Sequence, residues 1–337
     1  MRAVAAFTVV AFHVWLPGFA GGFIGVDVFF VLSGYLITTL LVGEIERTGT
    51  IAVRAFWWRR LVRLLPAMLL MLACVALVMP ALFPDHAVLT EMLFSGFYIS
   101  NLTHVLLDLP QVTGHTWSLA MEMQFYLLWP LIILGLVRFA PRQTTAVLLA
   151  LFVAVTLWRW WVYDPQDSLR AYFGPDTRGT GLILGAALAT SRWRPPVGSE
   201  AVLAAAALVV LGICVLALRY YTEPASSWAG SLVEIAAAVV VASLAAGRGW
   251  IAGFLASPLM VRLGTWSYGI YLWHYPIARV ARSVLEPIWA FGVTAVLSVT
   301  LAALSYALIE RPLRRLLTAP RRTVLSSDAH PQRHPAT

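Results

Sequence analysis

Apolar residues run through this chain in long blocks, and the charged residues fall almost entirely between them. Ten blocks, at roughly 3–17, 23–43, 61–83, 117–137, 144–162, 176–190, 201–219, 229–246, 266–284 and 288–309, approach the length of a bilayer span. A helix needs about 20 residues, with a range of about 17–25, to cross the hydrocarbon core. The first block is short and the sixth is marginal. Residues 87–107 are apolar but are interrupted by Glu91, Asn101, His104 and Asp108, the pattern of an interfacial or re-entrant helix. The expectation is an all-α, polytopic transmembrane helix bundle of about ten spans over residues 1–316, with a polar, disordered cytoplasmic tail over 317–337. A cleaved signal peptide fits the first block less well, because His13 and Trp15 stand where the cleavage region belongs and the next span follows at once.

Composition sharpens this picture. Only 12% of the residues are charged, about half the share usual in soluble domains. The net charge of +8 could indicate a polyanion partner, but all 24 basic residues are arginine and most lie in short loops of one side. Topology accounts for them, and nucleic acid is excluded as a partner. Arg47, Arg54, Arg59, Arg60 and Arg63 fill the second connection, and later arginine-bearing loops alternate with acidic ones. The lipid bilayer is thus the first partner, and the arginines put both termini in the cytoplasm of a multi-pass plasma or inner membrane protein. Cys74 and Cys214 sit in apolar runs, as small buried hydrophobes do. No spacing of His, Cys, Asp and Glu suggests a metal.

An ionisable side chain inside a span costs about 2.5–3.5 kcal/mol on insertion scales, so each needs a reason. The first span carries Arg2 and His13, eleven positions apart (13 − 2). At about 100° per residue they share a face, separated by about 16 Å along the axis. Arg2 could hold an anion from the cytoplasm while His13 acts as a base deeper in. The glycines of Gly21-Gly22-Phe23-Ile24-Gly25-Val26-Asp27 would turn Asp27 back toward His13 to orient the imidazole. Ser33 reads as a packing residue ahead of a nucleophile. Arg60 and Arg63 share a helix face, either as a stop-transfer cluster or as a clamp for phosphates. Glu122 enters the fourth span with no cation beside it in sequence, which favours a site. His274, in Trp273-His274-Tyr275-Pro276, reads as a bonded bundle residue or the lining of a substrate path. Asp176 and Arg178 read as capping and bundle-pairing groups, and Glu310-Arg311-Pro312 as a structural stop.

These segments resemble, in order, the acyltransferase 3 family of membrane-bound O-acyltransferases. The resemblance rests on Arg2 through His13, Gly21 through Thr38, the Arg60/Arg63 pair before Leu64-Leu65-Pro66, Trp117 through Tyr126, Asp176-Thr177-Arg178, Ser267 through His274, and Ile309-Glu310-Arg311-Pro312. It implies transfer of an acyl group, usually acetyl, from cytoplasmic acyl-CoA as co-substrate, with no metal, to a hydroxyl of a glycan, glycolipid or small-molecule acceptor. It makes His13 the residue required for transfer, paired with Arg2 in one family element, and matches a second element to Arg60 and Arg63. With the residue reading above, the expected catalytic set is His13, Asp27 and Glu122, and Arg2, Arg60 and Arg63 are expected to hold the acyl-CoA phosphates. Three departures stand out. Members carry several residues ahead of the arginine that is Arg2 here, which a start placed too far downstream would explain. Paired glutamates are common where this chain has Glu122-Met123. Many members continue into a C-terminal SGNH domain, which is not expected here. A proton-coupled transporter or flippase of an envelope precursor is the alternative; it predicts an inverted repeat, and none is visible.

Overall fold

The computed structural model describes residues 1–84, 88–107, 112–191, 193–220, 222, 228–247 and 249–318. Asp85, Asp108 and Glu223, and residues 319–337 of the expected tail, lie outside the described residues. Among those described, the chain is helical without strands. The helices are α1 (Arg2–His13), α2 (Gly25–Thr48), α3 (Val53–Leu82), α4 (Val88–Gly96), α5 (Ser100–Leu106), α6 (Trp117–Phe139), α7 (Thr144–Trp161), α8 (Ser168–Phe173), α9 (Thr180–Thr190), α10 (Glu200–Ala217), α11 (Trp228–Ala245), α12 (Trp250–Leu255), α13 (Pro258–Val284), α14 (Pro287–Ser305) and α15 (Arg311–Thr318).

Seven helical stretches, based on α2, α3, α6, α7, α10, α11 and α14, are long and apolar enough to cross a membrane. The shorter apolar helices α1 and α9, together with α13, bring the bundle to the expected ten. Helix α13 is 27 residues long but carries arginines, a histidine, serines and tyrosines. Its inner face lines the site described below. The chain is a multi-pass membrane protein.

The centre of the bundle is a close approach of α2 and α9. A Cβ on Gly34 would lie 2.0 Å from the Leu182 carbonyl oxygen, and one on Gly185 would lie 2.1 Å from that of Val31. Glycines that let two backbones touch are the usual device of membrane helix pairs. Helix α1 is built for the same closeness: its buried face is Ala3, Ala5, Ala6, Val9, Val10 and Ala11. Gly22 and Gly25 press on its Thr8 and Ala5 carbonyls, so α1 lies between α2 and α13. Gly34→Ala is expected to destabilise by about 1–3 kcal/mol or more, since backbone rather than a movable side chain blocks the new methyl. A lower melting temperature in detergent would show it, and an unchanged one would contradict this packing.

Two ion pairs cross-link the buried middle. Arg178 reaches Asp27 through both ends of its guanidinium, at 2.8 and 3.0 Å. Arg159 of α7 lies 3.7 Å from Glu234 of α11, with Thr180 donating to Glu234 and Arg159 donating to Ser231 at 2.7 Å. Outside the spans, Arg170 forms a bidentate pair with Asp176, which also accepts from Trp158. These hydrogen bonds, the Arg170 one foremost, hold the Asp176 carboxyl below the ordinary carboxylate range.

Local differences from the sequence reading have clear causes. Residues 88–106 form two short helices with a break at Tyr98, whose φ is +56°. The polar residues there face protein: Glu91 accepts from the Val112 and Thr113 amides, and Asn101 pairs with Gln124. Irregular backbone at membrane depth is tolerated where protein covers it. The sixth span begins at Thr180 rather than 176, because residues 174–179 form the turn that aims Arg178 at Asp27. Glu310-Arg311-Pro312 is not a stop. The helix widens into a π turn over Tyr306–Glu310 and continues to Thr318. Pro312 lacks the N–H that an unbroken α-helix would use there.

Candidate active site

Helices α1, α2, α6, α13 and α15 build the site from one side of the membrane toward the other. At the Arg2 end of α1, residues of α1, α2, α3, α12, α13 and α15 enclose a vestibule of about 660 Å³. Arg2, Arg63, Arg311, Arg314 and Arg315 line it, with Glu310, Tyr306 and Tyr268. The π turn carries the three arginines of α15 to this mouth. A large, arginine-lined recess has the chemistry to take a polyanion such as a chain of phosphates.

Arg2 and Tyr268 line both the vestibule and a second, smaller cavity further in. The cavity is closed by Val26, Phe29 and Phe30 of α2, Ser118, Leu119 and Glu122 of α6, and Ser267 and Tyr271 of α13. Arg2 is fixed there by two contacts. Its Nε donates to Ser267 Oγ at 3.0 Å, and its guanidinium carbon lies 5.3 Å from the Phe29 ring centroid. Glu122 accepts from Ser33 at 2.7 Å and from Tyr126 at 3.0 Å, so each carboxylate oxygen has a donor. Ser33 is therefore committed to Glu122.

Beyond the cavity lie three histidines. Tyr271 leads to them: its hydroxyl is 2.7 Å from Ser118 Oγ and donates to the His115 carbonyl, and its ring is 5.1 Å from that of His274. His274 Nδ1 lies 2.5 Å from the Tyr271 carbonyl oxygen, and its Nε2 lies 3.0 Å from His13 Nδ1. A carbonyl can only accept, so His274 carries its proton on Nδ1 and presents a lone pair at Nε2. His13 must then donate from Nδ1, which leaves His13 Nε2 as a free lone pair. That is the tautomer a general base requires. His115 Nε2 donates in the same way to the Leu272 carbonyl at 3.1 Å, and its ring stacks on Tyr275 at 4.9 Å. Arg282 donates to the His13 carbonyl at 2.9 Å and covers the Trp15 ring at 4.3 Å. A cation at the C-terminal end of α1 is favourably placed against the helix dipole.

The sequence-based site is thus partly assembled and partly rearranged. Arg2 and Arg63 meet at the vestibule, and Arg2 and Glu122 line one cavity. His13 stands at the far end of α1, with His274 rather than Asp27 on its ring nitrogen. Asp27 is taken up by Arg178, because a buried carboxylate is satisfied best by a bidentate guanidinium. Arg60 and Arg63 line different recesses: Arg63 the vestibule, and Arg60 a recess with Trp57, Met123 and Tyr126, its charge over the Phe56 and Tyr126 rings at 5.4 and 5.7 Å. His115, Arg282 and the Arg159–Glu234 pair are added by the structure. His115 stands directly before Thr116-Trp117, and Arg159 and Glu234 are ionisable residues of opposite sign in two otherwise apolar spans, a signal available in the sequence. Among the described residues no group of three or more His, Cys, Asp or Glu is arranged to hold a metal ion.

The chain is 33% identical over 341 residues to the peptidoglycan O-acetyltransferase OatA of Listeria monocytogenes, an alignment covering 94% of this chain and 55% of that protein. It is 32% identical over 341 residues to the O-acetyltransferase OatA of Staphylococcus aureus, covering 94% of this chain and 56% of the other. The chain spans about half the length of the curated relatives it matches. No solved structure matches it. The acyltransferase domain profile matches residues 1–309, and the chain belongs to the acyltransferase 3 family.

Proposed function

We propose that this chain is the membrane catalyst of an O-acyltransferase that moves an acyl group, acetyl first among them, from cytoplasmic acyl-CoA to a hydroxyl of a cell-envelope glycan. The observation that carries the reading is the succession of arginine vestibule, small cavity and histidine pair along α1 and α13. Peptidoglycan, the glycan for which the Listeria relative is named, is the acceptor to try first.

In this reading the vestibule is cytoplasmic. Arg63, Arg311, Arg314 and Arg315 hold the phosphates of acyl-CoA, and Arg2 marks the entry to the cavity. The distance from Arg2 to His13, about 16 Å along a helix, is comparable to the reach of an extended pantetheine arm. The acceptor hydroxyl comes from the opposite face to His13. His13 Nε2 removes its proton, the oxygen attacks the thioester carbonyl, the C–S bond breaks, and the thiolate returns toward the cationic vestibule. His274 holds His13 in the reactive tautomer and shares the imidazolium charge. Ser33 and Tyr126 hold the Glu122 carboxylate in the cavity wall, and Asp27 acts through Arg178 by fixing the start of α9. A proton relay of the transporter kind is disfavoured because Asp27 and Glu234 each lie against an arginine instead of along a path.

Membranes of the native host expressing the chain, supplied with acetyl-labelled acetyl-CoA, test the proposal. Label is expected in an envelope glycan as a base-labile ester, and Arg63→Ala is expected to raise the KM for acetyl-CoA about tenfold with kcat little changed, as loss of one phosphate contact would. Absence of chain-dependent ester would count against the proposal.

A further inference from the structure

Helix α1 closes with two backbone bonds: the Trp15 amide donates to the Phe12 carbonyl, and the Leu16 amide to that of Ala11. This closure needs a left-handed residue directly after the helix cap, and glycine usually supplies it. Here the residue is Trp15, at φ +56°, a conformation that bulky side chains rarely adopt. The indole gains little burial in return, since Trp15 is 66% exposed. Stability alone therefore favours glycine at this position, and strained residues of this kind gather at functional sites. The Arg282 guanidinium carbon lies 4.3 Å from the Trp15 ring centroid. The same guanidinium donates to the His13 carbonyl at 2.9 Å, so one cation touches both the exposed indole and the residue that carries the base. Arg159, Arg170 and Arg178 each face a carboxylate, whereas Arg282 makes no ion pair among the described residues.

We infer that Trp15 and Arg282 form the acceptor subsite: a sugar ring stacks on the exposed indole, and a carboxylate borne by that sugar pairs with Arg282. The inference rests on the O-acyltransferase reading above and names the class of its acceptor, an acidic glycan. A pyranose presents an apolar face of C–H groups, which an exposed indole matches while the hydroxyls stay in water. An arginine whose charge no protein carboxylate meets suits a carboxylate of the ligand. The subsite stands at the histidine face, two residues beyond His13, where the acceptor hydroxyl must arrive. Two simpler roles predict otherwise. A tryptophan that only anchors the chain at the membrane surface would leave acceptor affinity untouched when replaced. A cation that serves only the α1 dipole would not distinguish acidic from neutral acceptors.

The test uses the full chain in lipid nanodiscs, where both faces are open, with labelled acetyl-CoA and two soluble acceptors. Chitotetraose is neutral, and the peptide-free tetrasaccharide of peptidoglycan carries lactyl carboxylates. The parent is expected to use the acidic tetrasaccharide at least about tenfold better in kcat/KM, and Arg282→Gln to erase most of that preference. Trp15→Gly is expected to raise the KM for the acceptor about tenfold and leave the KM for acetyl-CoA unchanged. It should melt no lower than the parent, because glycine suits the left-handed position. Trp15→Tyr keeps a ring and should recover most of the affinity. The inference is overturned if Trp15→Gly leaves the acceptor KM as it was, if Trp15→Gly fails to accumulate, or if the parent uses both acceptors equally. It is overturned too if native-host membranes form chain-dependent ester while neither tetrasaccharide is acetylated. Host membranes that form no such ester would instead remove the O-acyltransferase reading on which the inference stands.

Discussion

His13→Ala is expected to lower acyl transfer by about 10²–10⁴-fold, the usual contribution of a positioned general base. The protein should still accumulate and melt as the parent does, because His13 closes α1 at its end and its side chain is only half-buried. The hydrogen bond to His274 supplies a second arm. His274→Ala removes the acceptor that holds the His13 proton on Nδ1, so transfer should fall. His274→Gln offers an amide oxygen to the same N–H and should retain more activity than the alanine variant. Rates are compared in membranes at equal abundance. Full transfer by His13→Ala would remove this imidazole from the chemistry, and equal rates for the two His274 variants would remove the tautomer argument.

The second large effect concerns stability. Asp27 and Arg178 are both buried, in helix α2 and in the turn before α9, and their carboxylate–guanidinium pair is bidentate. Arg178 also covers the Tyr172 ring at 4.5 Å. Removing one partner leaves an uncompensated charge in a low-dielectric interior, at a cost of about 3–5 kcal/mol. Arg178→Met alone should therefore melt far below the parent in detergent, or fail to accumulate. Asp27→Leu combined with Arg178→Met should recover much of the loss, since an apolar pair of similar bulk carries no unpaired charge. Arg178→Met melting like the parent would show that the pair contributes little. A double variant no better than the single one would place the loss in the aromatic contacts of Arg178.

These two effects divide along the line between what sequence patterns carry and what they do not. Span positions are legible because length and hydropathy are local properties: α2, α3, α6, α7, α10, α11 and α14 fall where the apolar blocks do. The shared face of Arg2 and His13 is legible too, since it depends only on helical period. Pairings across helices are not. Asp27 lies near His13 in sequence, yet its partner Arg178 is 151 positions away. His13 takes its acceptor from α13, 261 positions on. Arg60 and Arg63 share a face by period, but Tyr126 offers Arg60 a ring and α15 offers Arg63 a recess. The continuation of the last helix is hidden by Pro312, which reads as a stop unless the π turn before it is known.

In the proposed mechanism the acyl group enters at the arginine face and leaves at the histidine face. Sealed membrane vesicles of the two orientations, each given labelled acetyl-CoA only on the outside, test it most directly. Inverted vesicles, with the cytoplasmic face outward, are expected to form base-labile ester, whereas right-side-out vesicles should form it only after permeabilisation. Equal labelling of intact right-side-out vesicles would contradict the account, because the donor would then be reaching the chemistry from the histidine side.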